Sequence, residues 1–426
     1  MNTAVLFTLL LIFATLSLPI GVSLGMATLI VMYQFTNIPL SMITQNVFAG
    51  LDSFALLAIP FFMLSGNLMA LGGIARRIVE LADYVFSKIT GGLAIVNVVA
   101  CMFFAAISGS GPATVSAIGS IMIPEMDKRG YDKAFSTGLT ATAGTIGVII
   151  PPSIPFVIYG VVAGASIGDI FIAGIIPGII IGLALIAVAY YSSKKKGYKG
   201  VERKRDQTFW EVFKDSFWAL LAPVIILGGI YGGIFTPTEA SVVAIVYSLF
   251  AGIFIYKELT WKIWVDSLKQ TADLNGMTGL AIAFSMAFAQ YLSVEQIPVA
   301  IGAFLSSAIT SDTIMMLLIL TVLIIVGCFV DNISSCLILT PVFLPLVTSM
   351  GVDPIHFGVF MTIALAIGFV TPPYGANLFV ASAVANMRYE KIAKAAAPFL
   401  IVMFICLLLI TFIPEISMSL VYLMRR

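Results

Sequence analysis

The sequence predicts an all-α polytopic membrane protein built from two inverted repeats, each carrying a re-entrant helical hairpin and a broken transmembrane helix. Three observations predict it. Of 426 residues 60% are hydrophobic and only 10% charged, with a mean hydropathy of +1.09, whereas soluble domains carry about 25% charged residues. Apolar stretches of roughly 16 to 30 residues recur from end to end, around the length a helix needs to cross a bilayer. Two Pro-Pro dipeptides, each trailing a polar interruption of an apolar stretch, occupy equivalent places in the two halves. The period-2 alternation of a barrel strand is absent, so the spans are read as helices, which satisfy their backbone polar groups internally.

Several classes drop out at once. A net charge of +1 leaves no basic face for nucleic acid. Cys101, Cys328, Cys336 and Cys406 lie in apolar runs without metal-ligand spacing and read as small packing residues. No Gly-rich phosphate loop with Lys-Ser/Thr argues for a primary pump, and no intramembrane nucleophile and base argue for an enzyme. The first segment, Met1 to Leu18, lacks a basic n-region and a small-residue cleavage site, and is expected to be a retained membrane helix.

The duplication is read from offsets. Adding 221 takes Pro124 to Pro345, Gly147 to Gly368 and Pro151-Pro152 to Pro372-Pro373, while an offset of 218 takes Pro19 to Pro237. The repeats are therefore expected to begin near residues 1 and 216 and to differ by small insertions.

Charge then gives orientation, because Lys and Arg near helix ends mark the cytoplasmic side. They cluster at Arg76, Arg77 and Lys88; Lys128, Arg129 and Lys133; Lys194 to Lys214; Lys257, Lys262 and Lys269; and Arg388, Lys391 and Lys394. The segment Thr90 to Met126 has basic residues at both ends and is interrupted at Ser108-Gly109-Ser110-Gly111-Pro112, so it reads as a hairpin entering from the cytoplasm. Its counterpart, Asp312 to Gly351, is interrupted at Val330-Asp331-Asn332-Ile333-Ser334-Ser335 and has no basic flank, so it is expected to enter from the opposite side. Opposed hairpins are what an inverted-topology duplication predicts.

Behind each hairpin lies a span broken near its middle, Tyr131 to Ala165 around Pro151-Pro152 and Ile355 to Met387 around Pro372-Pro373. Proline lacks the backbone donor and clashes with the preceding turn, so two in succession end one half-helix and let another start. Simple kinks in packing helices are the alternative reading. Unwound backbone at membrane depth is tolerated only where protein or a wet cavity covers it, and its carbonyls and amides are then open to ions.

The tips carry the polar chemistry. Asp331 is the only acidic residue between Asp312 and Asp353, and a carboxylate at mid-membrane costs about 2.5–3.5 kcal/mol on insertion scales. No Lys or Arg occurs from Ala134 to Ser193 or from Gln270 to Met387. A cation is the partner this leaves, with hard oxygen ligands available at Ser108, Ser110, Thr145, Asp331, Asn332, Ser334 and Thr371. The alternatives are a wet vestibule around Asp331 and hydroxyls that merely bond back to the preceding turn. With no Arg fork in the core, a carboxylate substrate would rely on hydroxyls, amide side chains such as Asn332 and Asn377, half-helix N-termini and the bound cations themselves.

The run Leu51-Asp52-Ser53-Phe54-Ala55-Leu56-Leu57-Ala58-Ile59-Pro60-Phe61-Phe62, with Ser108-Gly109-Ser110, Pro151-Pro152-Ser153, Phe235-Thr236-Pro237-Thr238-Glu239-Ala240 and Thr371-Pro372-Pro373, resembles the large membrane subunit of tripartite ATP-independent periplasmic (TRAP) transporters over essentially the whole chain. The resemblance implies a bacterial inner-membrane protein that imports an organic acid, sialic acid or a C4-dicarboxylate, with sodium as coupling ion and no other cofactor. It also implies a separate small membrane subunit, a soluble periplasmic substrate-binding protein and an elevator-type ion-transporter fold. By resemblance the sodium sites fall at Ser108, Gly109 and Ser110 with Gly144 and Thr145, and at Val330, Asp331 and Asn332 with Gly368 and Thr371. Ser153, Ser334, Tyr374 and Asn377 are the candidate substrate contacts. The expected division is scaffold and arm in 1–89, hairpin and broken helix in 90–165 and a connecting helix with basic loop in 166–215, then scaffold and arm in 216–311, hairpin and broken helix in 312–387 and a last helix in 388–426. A stand-alone sodium-coupled carboxylate symporter or exchanger is the rival reading.

Three other features complete the expectations. Lys194 to Lys214 reads as a solvated loop between repeats, and Leu40 to Gly50 and Leu259 to Thr271 as interfacial arm helices. Glu239 either meets the binding protein or caps its helix. His356, the single histidine, lies near a membrane boundary and is given no catalytic role.

Overall fold

The computed structural model describes residues 2–16, 18–200, 208–309 and 311–425. Among them there are helices and no strands, in an order that runs twice. The first pass is α1 (Asn2–Thr15), α2 (Ile20–Phe35), α3 (Ser41–Leu51), α4 (Ala58–Leu71), α5 (Ile74–Phe86), the hairpin α6 (Gly92–Ser108) and α7 (Gly111–Lys128), the half-helices α8 (Lys133–Ala143) and α9 (Ile154–Ala163), and α10 (Ile167–Lys196). The second is α11 (Phe209–Tyr231), α12 (Pro237–Phe250), α13 (Trp261–Val294), α14 (Ile297–Ala308), the hairpin α15 (Asp312–Gly327) and α16 (Asn332–Ser349), the half-helices α17 (Pro354–Gly368) and α18 (Ala376–Ala385), α19 (Tyr389–Phe412) and α20 (Glu415–Met424). Shifting α7 by 221 residues lands on α16 at both ends.

Seven of the described helices are long and apolar enough to cross a membrane, α10, α11, α13 and α19 among them. Polar residues at their starts set the boundaries: Ser110, Asp132, Ser153, Ser166, Thr208, Thr236, Thr260, Asp331 and Asp353 each accept a bond from an amide of the helix they precede. Such a cap contributes about 1 kcal/mol where water cannot satisfy the amide.

Packing separates two groups of helices. α2, α3 and α4 pack on α13, and α4 on α12. The hairpins and half-helices pack with one another and cross between the passes: α9 lies against α16, α18 against α7, and α8 against α19. α5 bridges the groups by touching both α11 and α6, and in the second pass α14 lies against both α13 and α16.

Two expectations need amendment. Leu259 to Thr271 is not a separate arm, because 261–271 is the beginning of the 34-residue α13. The first pass breaks at the matching place, where Asp52 and Ser53 leave the helix before a 3₁₀ turn at Phe54–Leu57, whereas α13 runs on through its own Asp266-Ser267 pair. The basic run Lys194 to Lys214 is also less of a loop than its charge suggests. Lys194, Lys195 and Lys196 form the last turn of α10, where cations offset the C-terminal dipole, and Lys214 lies inside α11. Residues 201–207 of that run lie outside the described residues. Tyr198 folds back onto Tyr131, ring centroids 4.2 Å apart, and its hydroxyl accepts from the Asp132 amide at 2.8 Å. Burial pushes the Asp132 carboxyl up, but the Lys196 ammonium at 3.1 Å and the Ala134 and Phe135 amides together outweigh it and hold the group below the usual carboxylate range.

At the basic end α5 is tied to the second pass by one buried cation. Arg77 donates to Glu258 and, at 3.3 Å, to Asp215, while its guanidinium lies 4.1 Å from the centre of the Tyr256 ring. Ser216 donates to the Arg77 carbonyl at 3.0 Å. Arg76 beside it also meets Glu258, at 2.7 Å, but is itself exposed. Arg77→Gln is therefore expected to lower stability by about 1–3 kcal/mol, and Arg76→Gln by less than about 1 kcal/mol. Thermal unfolding of the two variants in detergent checks the ranking; equal losses would contradict it.

Candidate functional site

Each hairpin tip is built by glycine and a capping polar residue. At the first, α6 ends on Ser108, Gly109 turns the chain at φ +62°, and Ser110 caps α7 by accepting from the Ala113 amide at 3.4 Å. The Ser108 hydroxyl lies 2.9 Å from that of Thr114, which donates to the Ser110 carbonyl at 2.8 Å. At the second tip Asp331 takes the position of Ser110: its carboxylate accepts from the Ser334 amide at 3.0 Å and caps α16. The capping amide gives the half-buried Asp331 a partner that the sequence alone did not supply.

The breaks in the long helices seat against these tips. After α8 a 3₁₀ turn runs over Gly144–Val148, and the chain resumes as α9 behind Pro151-Pro152, whose peptide bond is cis. A Cβ on Gly147 would stand 2.6 Å from the Ser110 carbonyl oxygen, and one on Gly144 would stand 3.3 Å from that of Gly111. The Ile154 amide donates to the Gly109 carbonyl at 3.2 Å. In the second junction, Pro372-Pro373 is also cis, and the Tyr374 amide donates to the Cys328 carbonyl at 3.2 Å. Gly368 presses on Gly327 so closely that a Cβ would fall 2.2 Å from the Gly327 carbonyl carbon.

The residues expected at the first site therefore meet, with differences among side chains. Ser108, Gly109, Ser110 and Gly144 surround one junction, whereas the Thr145 hydroxyl is turned away, donating to the Thr142 carbonyl at 2.7 Å beside the Met403 sulfur. Ser153 caps α9 and is fully buried, its hydroxyl spent on the Val148 carbonyl at 2.6 Å. In the second junction Thr371 bonds back to the Ile367 carbonyl at 2.8 Å, and the buried Asn332 holds a side-chain nitrogen without a partner. Val330 and Ser334 flank Asp331, and Tyr374 is 46% exposed beside them, open to a ligand. Asn377 joins the second break by its backbone, whose amide donates to the Phe369 carbonyl at 3.0 Å, but its side chain faces the first tip: Nδ2 donates to the Ala141 carbonyl at 3.0 Å, and the side-chain amide lies against Gly111.

Thr114 and Gly327 escaped the sequence reading. Thr114 sits one helical turn beyond Ser110, a spacing that suits a back-bonding hydroxyl, and the 221 offset that paired Gly147 with Gly368 gives no hint of the Gly327 contact. Elsewhere Glu239 forms a capping box with Thr236, bonding its amide at 2.8 Å. Buried His356 is held between the Ser417 hydroxyl at 2.7 Å and the Thr411 carbonyl at 3.1 Å, away from both junctions. The four cysteines are buried free thiols. Among the described residues no group of three or more His, Cys, Asp or Glu is placed to hold a metal, so an ion here would be held by hydroxyl, amide and backbone oxygens with at most one carboxylate.

Comparison with known proteins adds the family. The family model described as tripartite ATP-independent periplasmic transporter, DctM component, matches residues 7–416. The isethionate TRAP transporter permease protein DctMQ of Oleidesulfovibrio alaskensis is 45% identical over 97% of this chain, which spans 65% of that longer protein. The C4-dicarboxylate TRAP transporter large permease protein DctM of Pseudomonas aeruginosa is 41% identical over 93% of each chain, and the sialic acid TRAP transporter large permease protein SiaM of Vibrio cholerae is 36% identical over 95% of this chain and 94% of its own. The YdaH transporter of Alcanivorax borkumensis shares the fold, with a TM-score of 0.67 and 11% identity over 98% of this chain and 99% of that one.

The glycine contacts make a direct prediction. Gly368→Ala places a methyl group against backbone that has no side chain to swing aside, and overpacking of this kind costs about 1–3 kcal/mol. The variant is expected to unfold at lower temperature and lose uptake, whereas Gly276→Ala is expected to keep uptake, since Gly276 has nothing within 4 Å of its Cβ position and an ordinary helical backbone. Full uptake by Gly368→Ala would refute the close junction.

Proposed function

The chain belongs to the DctM family of tripartite ATP-independent periplasmic transporters, and from that premise we propose that it carries an organic anion inward together with sodium ions bound at the two tip junctions. It is a multi-pass protein of the bacterial inner membrane and a transporter permease, not an enzyme. The single observation behind the sodium reading is the pairing of each polar tip with a helix break in segments that hold no Lys or Arg, 89–127 with 134–193 and then 270–387. Anion and cation must then be held together, each supplying the charge the protein withholds. Ser108, Gly109, Ser110 and Gly144 are assigned to one sodium ion, with Thr145 joining them by its backbone rather than its hydroxyl, and Val330, Asp331, Asn332, Gly368 and Thr371 to another. Ser153, Ser334 and Tyr374 are assigned to the substrate.

Relatives named for isethionate, C4-dicarboxylate and sialic acid support a carboxylate or sulfonate as the substrate class. Electrical work favours coupling: each charge crossing about 100 mV is worth about 2.3 kcal/mol, so a monoanion with two sodium ions is drawn in. The expected assembly adds a small membrane subunit and a periplasmic binding protein that delivers the anion. The helices divide into a group around α13 and a group of hairpins and half-helices, bridged by α5 and α14 and meeting directly where α13 packs on α16 and α4 on α6; an elevator motion of the second group against the first would slide along those direct contacts. The crossed packing of α9 on α16 and α18 on α7 supports inverted repeats.

Reconstitution in proteoliposomes tests this. Sodium-driven uptake is expected only when the small subunit and a loaded binding protein are present; uptake by this chain alone would select the stand-alone symporter instead. Asp331→Asn is expected to raise the sodium concentration for half-maximal uptake about tenfold, the equivalent of about 1.4 kcal/mol, and an unchanged sodium curve would remove Asp331 from the site.

A further inference from the structure

We infer that Asn377 supplies a side-chain oxygen ligand to the cation at the first tip, so that the second broken helix completes the ion site of the first pass. The inference rests on the sodium reading above and moves Asn377 from substrate contact to cation ligand. The side chain is fully buried, and its Oδ1 has no hydrogen-bond partner. The orientation of the amide is fixed by chemistry: the Ala141 carbonyl can only accept, so the nitrogen faces it at 3.0 Å and the oxygen is left over. That oxygen lies 3.0 Å from where a Cβ on Gly111 would stand, in the first turn of α7 beside the capping Ser110.

A buried amide oxygen without a donor costs about 1–3 kcal/mol, and Asn377 Oδ1 accepts from no donor among the described residues. The neighbourhood is rich in acceptors instead. The Gly111 carbonyl faces Gly144, the Ser110 carbonyl faces Gly147, and the Ser108 and Thr114 hydroxyls are 2.9 Å apart on the same tip. An acceptor among acceptors suits a hard cation, which takes oxygen ligands of this kind. It does not suit the anion, whose own oxygens would repel Oδ1 and would need the Nδ2 donor already spent on Ala141. Because α18 starts just behind Pro372-Pro373, the break of the second junction, a ligand on α18 ties occupancy of the first site to the placement of the second broken helix.

The test is thermal unfolding of the purified chain in detergent, titrated with sodium chloride at constant ionic strength against choline chloride. The wild type is expected to be stabilised by sodium. Asn377→Ala is expected to need about tenfold more sodium for the same rise, while Asn377→Asp, which keeps an oxygen, responds at wild-type sodium concentrations or lower. Absence of any sodium effect in the wild type would defeat the sodium reading itself. A wild-type effect fully retained by Asn377→Ala would overturn the inference alone. Should that variant fail to fold, Gly111→Ala takes its place: its new methyl group crowds Oδ1 with Asn377 intact, and an undiminished sodium response there would overturn the inference equally.

Discussion

Interrupting a helix inside an apolar interior strips several amides and carbonyls of their partners, and the molecule does this four times, at two tips and two breaks. Each tip is seated on a break, which satisfies part of them. Gly109 accepts from the amide of Ile154, and Cys328 from that of Tyr374. Such bonds form only if the backbones approach closely, and glycine permits the approach: Gly147 against Ser110, and Gly368 against Gly327. What remains after this mutual satisfaction is a small surplus of oxygens and one buried amide nitrogen, and that surplus is the material of the candidate sites.

The seating also decides how the halves communicate. α9 packs on α16 and α18 on α7, so each broken helix reaches the other pass. Asn377 bonds α8 while standing against α7, so a change at either break is felt at the first tip. Gly66 of α4 brings the other group of helices against the same tip, with the Ser108 Cα 3.1 Å from its Cβ position.

Much of this was legible because glycine and proline punctuate so strongly. The tips at Ser108-Gly109-Ser110 and Val330-Asp331-Asn332 and the breaks at both Pro-Pro pairs follow from local backbone rules. Local rules do not reach across the fold, and the misses share that cause. Nothing near Asn377 in sequence reveals that it faces Gly111, 266 positions earlier. The turning of the Thr145 hydroxyl toward Thr142 and Met403 depends on α19, and the continuity of α13 through 261–271 is not marked locally, because that segment carries an Asp-Ser pair just as the end of α3 does. The Lys194–Lys196 triplet was read by charge alone, though the same charge stabilises a helix end as readily as a loop.

Direct observation of ion density gives the sharpest test of the two-junction account. High-resolution maps of the chain prepared in sodium chloride and in choline chloride should differ by a compact peak at each tip junction, one near Ser110, Gly144 and Asn377 and one near Asp331 and Gly368, with oxygen neighbours at sodium distances. Maps that resolve both tips in sodium and show no such peaks, or place them elsewhere, would contradict the account.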